Sequence, residues 1–353
     1  MPPLSSPPET PVLAVVGGFL GAGKTTLLLT AGRILARRGW RTAIVTNDQG
    51  DELVDSRWVA AHGVPWAEVG GGCFCCRFSD LRRTVTSLLP LRPHVVFAEP
   101  VGSCTDLAAT VLRPMQESCG TSLRVAPLTV VIDPARRAEV ERDDAGPDVR
   151  FLFRKQEEEA DLRLLSKSDR HGWAAVEGAR RVSARTEEGV LAWLNDALEG
   201  DAPAATRELE IDYARYAAAE AALGWVNWRG RLELPLAHLP AQVAGPLLDD
   251  LGSRLRSQGA RIAHLKCAVT SGTSALKASL TAQGEEPELE GDLQAPASRR
   301  MEVLVNLRAL GPPEDLLGAV RGAMGQLPGR VTVLREQAFR PAAPRPQHRI
   351  PRQ

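Results

Sequence analysis

Over the first 200 positions, short apolar runs alternate with longer amphipathic stretches. The runs at 12–16, 42–46, 94–98, 127–132, 162–166 and 180–183 have the length and continuity of strands buried on both faces. The stretches at 26–38, 81–89, 106–117, 135–141 and 187–198 carry helical patterns, the first closed by Gly39. This alternation predicts an α/β fold with a mainly parallel sheet and helices on both faces. Ligands of such sheets gather beyond the carboxyl ends of the strands, so the residues just after each strand are the ones to inspect.

The pattern changes after a small, polar, Pro-bearing linker at 200–206. Strand patterns at 224–234, 261–270, 274–281, 301–309 and 330–335 surround helical patterns at 243–258 and 313–327. The order reads as a smaller α+β domain of the ferredoxin-like βαββαβ type. The expected organisation is therefore one domain over 11–199 and a second over 207–338. The Pro-rich ends 1–10 and 339–353 are expected to be disordered, and the acidic stretch 284–298 to be a mobile loop. Trp225 and Trp228 belong either to the core or to a surface on which a partner docks.

Gly18-Phe19-Leu20-Gly21-Ala22-Gly23-Lys24-Thr25 follows the first strand and opens the first helix. The pattern Gly-x4-Gly-Lys-Thr in that position is a phosphate-binding loop. Gly18, Gly21, Ala22, Gly23, Lys24, Thr25 and Thr26 are its candidate phosphate contacts. Lys24 reaches the β/γ oxygens and Thr25 holds Mg²⁺. Asn47-Asp48-Gln49-Gly50 and Glu99-Pro100-Val101-Gly102 follow later strands. An acidic residue there, Asp48 or Glu99, can join the Mg²⁺ shell, and Gly102 can offer its N–H to a γ-phosphate. Lys24, Asp48, Glu99 and Gly102 are thus the candidates for the hydrolytic machinery. After the fifth strand, Ser166-Lys167-Ser168-Asp169 is similar to the Asn-Lys-x-Asp element with which GTPases read guanine, and Ser183-Ala184 to the loop behind that ring. Taken in order, these elements indicate GTP rather than the ATP of a metabolite kinase.

Gly70-Gly71-Gly72-Cys73-Phe74-Cys75-Cys76 adds a second chemistry. Thiolates bind Zn²⁺ and other soft or borderline cations, and three from one loop can occupy three tetrahedral corners. A redox thiol group and an inert buried trio are the other readings. Cys104 lies two residues beyond Gly102, where it either completes the metal site in one nucleotide state or packs as a small apolar side chain. Forty-three basic and 43 acidic residues cancel, so no global field recruits nucleic acid or an anionic membrane. With neither a bilayer-spanning run nor a signal-like leader, the expected location is the cytoplasm.

The phosphate loop followed by Gly-Gly-Cys-x-Cys-Cys and then Glu-x-x-Gly resembles the CobW-type metal-chaperone GTPases, relatives of the nickel GTPases of urease and hydrogenase maturation. The likeness runs over about 12–198 and includes Gln156 with Ala160-Asp161. It implies GTP/GDP and Mg²⁺ binding, slow hydrolysis, and transfer of a metal such as Zn²⁺ or Co²⁺ from Cys73, Cys75 and Cys76 to a client metalloprotein. A nucleotide-regulated adaptor with a structural zinc is the alternative. Ser166 departs from the family's usual Asn, and no His-rich tract is present.

Overall fold

The computed structural model describes residues 4, 6–47, 49, 54–142, 145–172, 174–272, 274–282 and 284–352. Asp48 and Gly50 lie outside the described residues. The chain forms two compact units, one from residues 1–49, 62–219 and 343–353, the other from 50–61 and 220–342.

The first unit is built on a parallel sheet in the order Trp66–Val69, Thr42–Asn47, Val95–Glu99, Val12–Gly18, Thr129–Ile132, Leu162–Leu165, Ala179–Arg181. A short strand, Arg124–Val125, pairs alongside Val12 and Leu13. Every residue of Val12–Gly18, Thr42–Asn47 and Val95–Glu99 is buried, which is why these strands read as unbroken apolar runs. Trp66–Val69 gave no such signal because it is an edge strand with only Val69 buried. The central strand carries the phosphate loop, and its neighbours deliver Glu99 and Asp133 to the same sheet end.

The second unit is a six-stranded antiparallel sheet ordered Glu288–Gly291, Ser274–Leu280, Arg261–Ser271, Ser298–Leu310, Leu223–His238, Arg330–Phe339. Helices Pro240–Ser257 and Pro313–Met324 share one apolar core with one face of this sheet. The last four strands of that order and the two helices form the ferredoxin-like unit, and the hairpin of the first two strands is an insertion into it. The stretch expected to be a mobile loop therefore contains a paired strand, with Leu276 opposite Gly291 and Ser279 opposite Glu288. Helix Val54–Ala61 packs on the other face, where Val54 meets Ala268 and Leu304. Asp55 on that helix is paired to Lys266, which with Lys277 holds its carboxyl well below the usual range against the opposing cost of burial. Trp225 and Trp228 are both fully buried, so they are core residues and no docking surface. Trp225 stacks under the Arg308 guanidinium at 4.0 Å.

The linker and the C-terminal stretch, the latter expected to be disordered, both have firm partners. Asp161 accepts from the Ala205 and Thr206 N–H groups at 2.8 and 3.0 Å, pinning the linker. The C-terminal stretch is bonded to the first unit: the Ile350 N–H donates to the Ala109 carbonyl at 2.9 Å, and Arg113 Nη1 to the Ile350 carbonyl at 2.8 Å. Composition predicted disorder because the stretch is Pro-rich and polar, whereas its anchors are specific polar bonds to buried groups. At the other end, Leu4 is buried.

Candidate functional site

The phosphate loop takes its shape from its glycines. At Gly18 φ is +131°, and a Cβ there would lie 2.3 Å from the Val131 carbonyl oxygen. Gly23 adopts a left-handed conformation and hands the chain directly to helix Lys24–Ala36. Lys24 is buried, and its ammonium donates to the Gly18 and Phe19 carbonyls at 2.8 and 3.3 Å. The Thr25 hydroxyl donates to Glu99 Oε1 at 3.1 Å, with Lys24 Nζ 4.0 Å from the same oxygen. The structure thus brings together Lys24, Thr25 and Glu99 from two adjacent strand ends.

Gly102 lies against the loop. A side chain there would meet the Leu20 N at 2.9 Å, so only glycine permits this approach. Gln156, buried, donates its amide to the carbonyls of both Gly102 and Cys104, at 3.0 and 2.9 Å. One helical turn on, buried Glu159 accepts from the Thr105 hydroxyl at 3.0 Å and from the Leu107 N–H at 2.6 Å. Asp106 next door accepts from Tyr213 Oη at 2.6 Å and from Arg349 Nε at 2.9 Å. The segment after the Glu99 strand is therefore gripped from helix Pro147–Glu159 and from the C-terminal stretch.

Burial pushes the Glu159 carboxyl up to about 8, against the opposing hydrogen bonds. The folded state then holds a proton that the unfolded chain releases above its ordinary value of 4.5, so stability is full below that value and is lost as pH rises toward 8. The melting temperature is expected to fall between pH 6 and 8.5, and Glu159→Gln, which keeps the shape without the charge, should flatten that slope. A slope unchanged in the variant would show that Glu159 does not cause it.

The cysteine loop is organised by Asn47, at the end of its strand. Its Nδ2 donates to the Val69 and Gly72 carbonyls, both at 2.7 Å, and its Oδ1 accepts from the Phe74 N–H at 2.9 Å. The Sγ atoms of Cys73 and Cys75 are 3.0 Å apart, those of Cys73 and Cys76 3.1 Å, and those of Cys75 and Cys76 3.8 Å. Hydrogen bonds from Cys104 first, then Cys75 and Cys76, hold the Cys73 thiol well below the ordinary thiol range. The Cys75 thiol is raised, chiefly by its hydrogen bond with Cys104, and that of Cys76 is pushed up to about 11, chiefly by its bond to Cys73. The C-terminal stretch covers the loop: the Arg345 N–H donates to Cys76 Sγ at 3.1 Å and the Gln347 N–H to the Cys75 carbonyl at 2.9 Å. Phe78 and His348 meet edge to face at 5.0 Å. Among the described residues, these three cysteines form the one group of His, Cys, Asp or Glu side chains close enough to share a metal ion.

The base-reading candidates also converge. Ser183 Oγ donates to Asp169 Oδ1 at 2.7 Å and accepts from the Thr186 N–H at 3.1 Å. Lys167, with a positive φ of 56°, pairs with Asp133 Oδ2 at 2.7 Å. The Ser166 hydroxyl donates to the Ile132 carbonyl at 3.2 Å, and the Ala184 carbonyl accepts from Thr30 in the first helix at 2.9 Å. Asp133 also caps helix Pro134–Glu141 by accepting from the Ala135 N–H at 2.9 Å. Asp133 and Glu159 were passed over in the sequence, and Asn47 was singled out only as part of Asn47-Asp48-Gln49-Gly50, without its role at the thiol loop. An Asp-Pro at a strand end was a visible capping signal for the first of these, while the roles of Asn47 and Glu159 depend on partners 22 to 54 residues away.

The nucleotide-binding domain model of CobW, HypB and UreG matches residues 12–189, about half of the chain, spanning the phosphate loop, the thiol loop and the base-reading elements. The chain belongs to the CobW/HypB/UreG family. It is 30% identical over 99 residues to the zinc chaperone YjiA of Escherichia coli, which covers 27% of this chain and 30% of that protein. It is 29% identical over 198 residues to the zinc chaperone CobW of Pseudomonas aeruginosa, covering 47% and 51%. The chain thus spans about a third to a half of the curated relatives it matches. Among solved structures, HypB from Helicobacter pylori in complex with nickel aligns at 17% identity and a TM-score of 0.38, covering 54% of this chain and 86% of that one. Among the described residues, no helix of this family member is long and apolar enough to cross a membrane.

Proposed function

We propose that this protein binds GTP, hydrolyses it slowly to GDP and phosphate, and uses the cycle to take up a metal ion and release it to a client metalloprotein. Zn²⁺ is the cargo best suited to the donor set, with Co²⁺ next, because a thiol trio favours borderline cations over Mg²⁺ or Ca²⁺. The carrying observation is the double grip on the segments between the two chemistries. Asn47 holds the thiol loop from a strand end of the nucleotide sheet, and Gln156 holds Gly102 and Cys104 with one amide. A movement of Gly102 toward a γ-phosphate is then felt at the thiols.

In this reading Lys24 binds the β/γ oxygens and the N–H groups of 21–26 cradle the phosphates. Thr25 and Glu99 present hard oxygen donors, buried and 3.1 Å apart, that fit Mg²⁺. The ion when bound neutralises phosphate charge. Asp169, already oriented by Ser183, accepts from guanine N1–H and its exocyclic amine, whereas adenine presents it with neither. GTP is expected to bind roughly 100-fold more tightly than ATP, and Asp169→Ala to remove most of that preference. Equal affinity of the wild type for the two nucleotides would overturn the guanine assignment.

The deciding experiment measures metal affinity by competition with a chromogenic chelator, anaerobically, with GDP and with a non-hydrolysable GTP analogue, alongside phosphate release. Different affinities in the two states together with GTP turnover support the chaperone cycle. Metal and GTP binding with no turnover and no difference would instead make the protein an adaptor with a structural zinc.

A further inference from the structure

We propose that residues 345–348 are a lid over the thiol loop, hinged at Arg349, which controls access to Cys76 and through it the exchange of the metal. The inference rests on the metal-carrying reading above and assigns to that site its gate.

Cys73 and Cys75 are buried and Cys76 is half-buried, so Cys76 is the thiol through which a chelator or a client ligand reaches the trio. The lid lies on it. The Arg345 N–H donates to Cys76 Sγ at 3.1 Å, and the Gln347 N–H to the Cys75 carbonyl at 2.9 Å. Gln347 Oε1 accepts from the Ser79 N–H at 2.8 Å, at the start of helix Phe78–Leu88, and His348 rests edge to face on Phe78. Arg345, Gln347 and His348 are themselves exposed, and no helix or strand holds them. Pro344 and Pro346 have no N–H to donate, so the stretch cannot zip onto a sheet edge. A few rim bonds open to competition by water let such a segment lift while the rest of the fold stays closed.

The two flanks are fixed more firmly. Pro344 is buried on one side. On the other, Arg349 Nε donates to Asp106 Oδ2 at 2.9 Å and its Nη2 to the Leu209 carbonyl at 3.0 Å, with Glu208 3.7 Å away. The Asp106 side chain is 1% exposed, which makes this a charge-assisted bond sheltered from water. Ile350 and Arg352 add backbone bonds to Ala109, Arg113 and Glu208. Residues 345–348 thus open as a lid between two anchors and not as a fraying end. The hinge stands on Asp106, four residues beyond Gly102. Asp106 holds a φ of +62° without being glycine, and the chain runs next into the π-helical turn Ala108–Leu112. Arrangements of this kind persist only where their surroundings impose them, and they cluster at switch segments. A γ-phosphate that draws on Gly102 therefore acts on the support of the lid.

The test compares the wild type with Arg349→Ala, with a chain ending at Ala342, and with Arg352→Ala as a control that keeps the N–H bonded to Glu208. The metal-free, reduced proteins are treated with iodoacetamide, and alkylation of Cys76 is followed by mass spectrometry against Cys119, which lies outside the trio. Cys76 should react roughly tenfold or more faster in Arg349→Ala and in the shortened chain, with Cys119 unchanged and Arg352→Ala like wild type. Loss of the Arg345 N–H bond alone would lower the thiolate fraction and slow the reaction, so acceleration reports uncovering. A synthetic peptide of residues 343–353 added to the shortened chain should restore slow alkylation, and a scrambled peptide should not. Zinc transfer to a chromogenic chelator should accelerate in the same two variants, with GTP titration confirming that each is folded. Unchanged Cys76 rates in a folded Arg349→Ala protein would overturn the lid. Faster alkylation with unchanged zinc transfer would overturn its role as a gate. A wild type that binds no zinc would overturn the metal-carrying reading and the gating role with it, while alkylation of the metal-free protein still decides whether the lid covers Cys76.

Discussion

Replacing Lys24 by Ala is expected to abolish nucleotide binding, with a loss of roughly 100-fold or more in GTP affinity measured by fluorescence titration with a labelled analogue. Lys24 is the one cation that the phosphate loop turns inward, and its ammonium is already desolvated and pointed at the Gly18 and Phe19 carbonyls. Those carbonyls hold it inside the loop, so its charge sits where β/γ oxygens would arrive. The substitution also removes a positive charge 4.0 Å from Glu99, so that the incoming phosphate oxygens meet an uncompensated carboxylate charge. Arg in place of Lys should not rescue binding, because a planar guanidinium fork does not reproduce the compact point charge of an ammonium. A Lys24→Ala protein that retains GTP affinity within about threefold would mean that the nucleotide sits elsewhere.

The second large effect is expected at the thiols. Changing Cys75 and Cys76 together to Ser should take bound zinc from about one ion per chain to below about a tenth, measured on anaerobically purified protein by elemental analysis. Serine hydroxyls stay protonated near neutral pH and bind Zn²⁺ weakly, so the double variant is left with too few thiolates to hold the ion. The loop itself should survive, because its scaffold is the Asn47 side chain bonded to the carbonyls of Val69 and Gly72 and to the Phe74 N–H. GTP affinity in the variant should therefore stay within about threefold of wild type. Substoichiometric zinc in the wild type, unchanged in the double variant, would return the trio to the redox or inert readings.

How much was legible in advance follows from the range of each interaction. The phosphate loop, the parallel-sheet class and the thiol loop are local signals, carried by spacing within about ten residues and by strand burial on both faces. The ferredoxin-like unit was legible for the same reason, since its two helices and four main strands each write their own period. Of the inserted hairpin the first strand was legible at 274–281, while the second was missed because Glu288–Gly291 is a half-exposed edge strand among acidic and glycine residues. The C-terminal stretch was misread as disordered because no composition rule can see that Arg349 finds a buried Asp106, or that the Arg345 N–H finds a sulfur 269 residues away.

The residue types at the strand ends thus named, without any structure, the candidates for each chemistry: a phosphate cradle, a base reader and a set of soft metal ligands. Such chemistry depends on side-chain identity and short spacing, both of which are written linearly. Only the tertiary structure decided which of those groups act on one another. Asn47 turned out to brace the thiol loop, Gln156 to clamp Gly102 to Cys104, and helix Val54–Ala61 to belong to the second unit, with its Val54 N–H bonded to Asn306. Each of these rests on a hydrogen bond across 25 to 252 residues of chain. A bond of that span is set by how the sheet and helices pack, and packing has no period in the sequence from which it could be read.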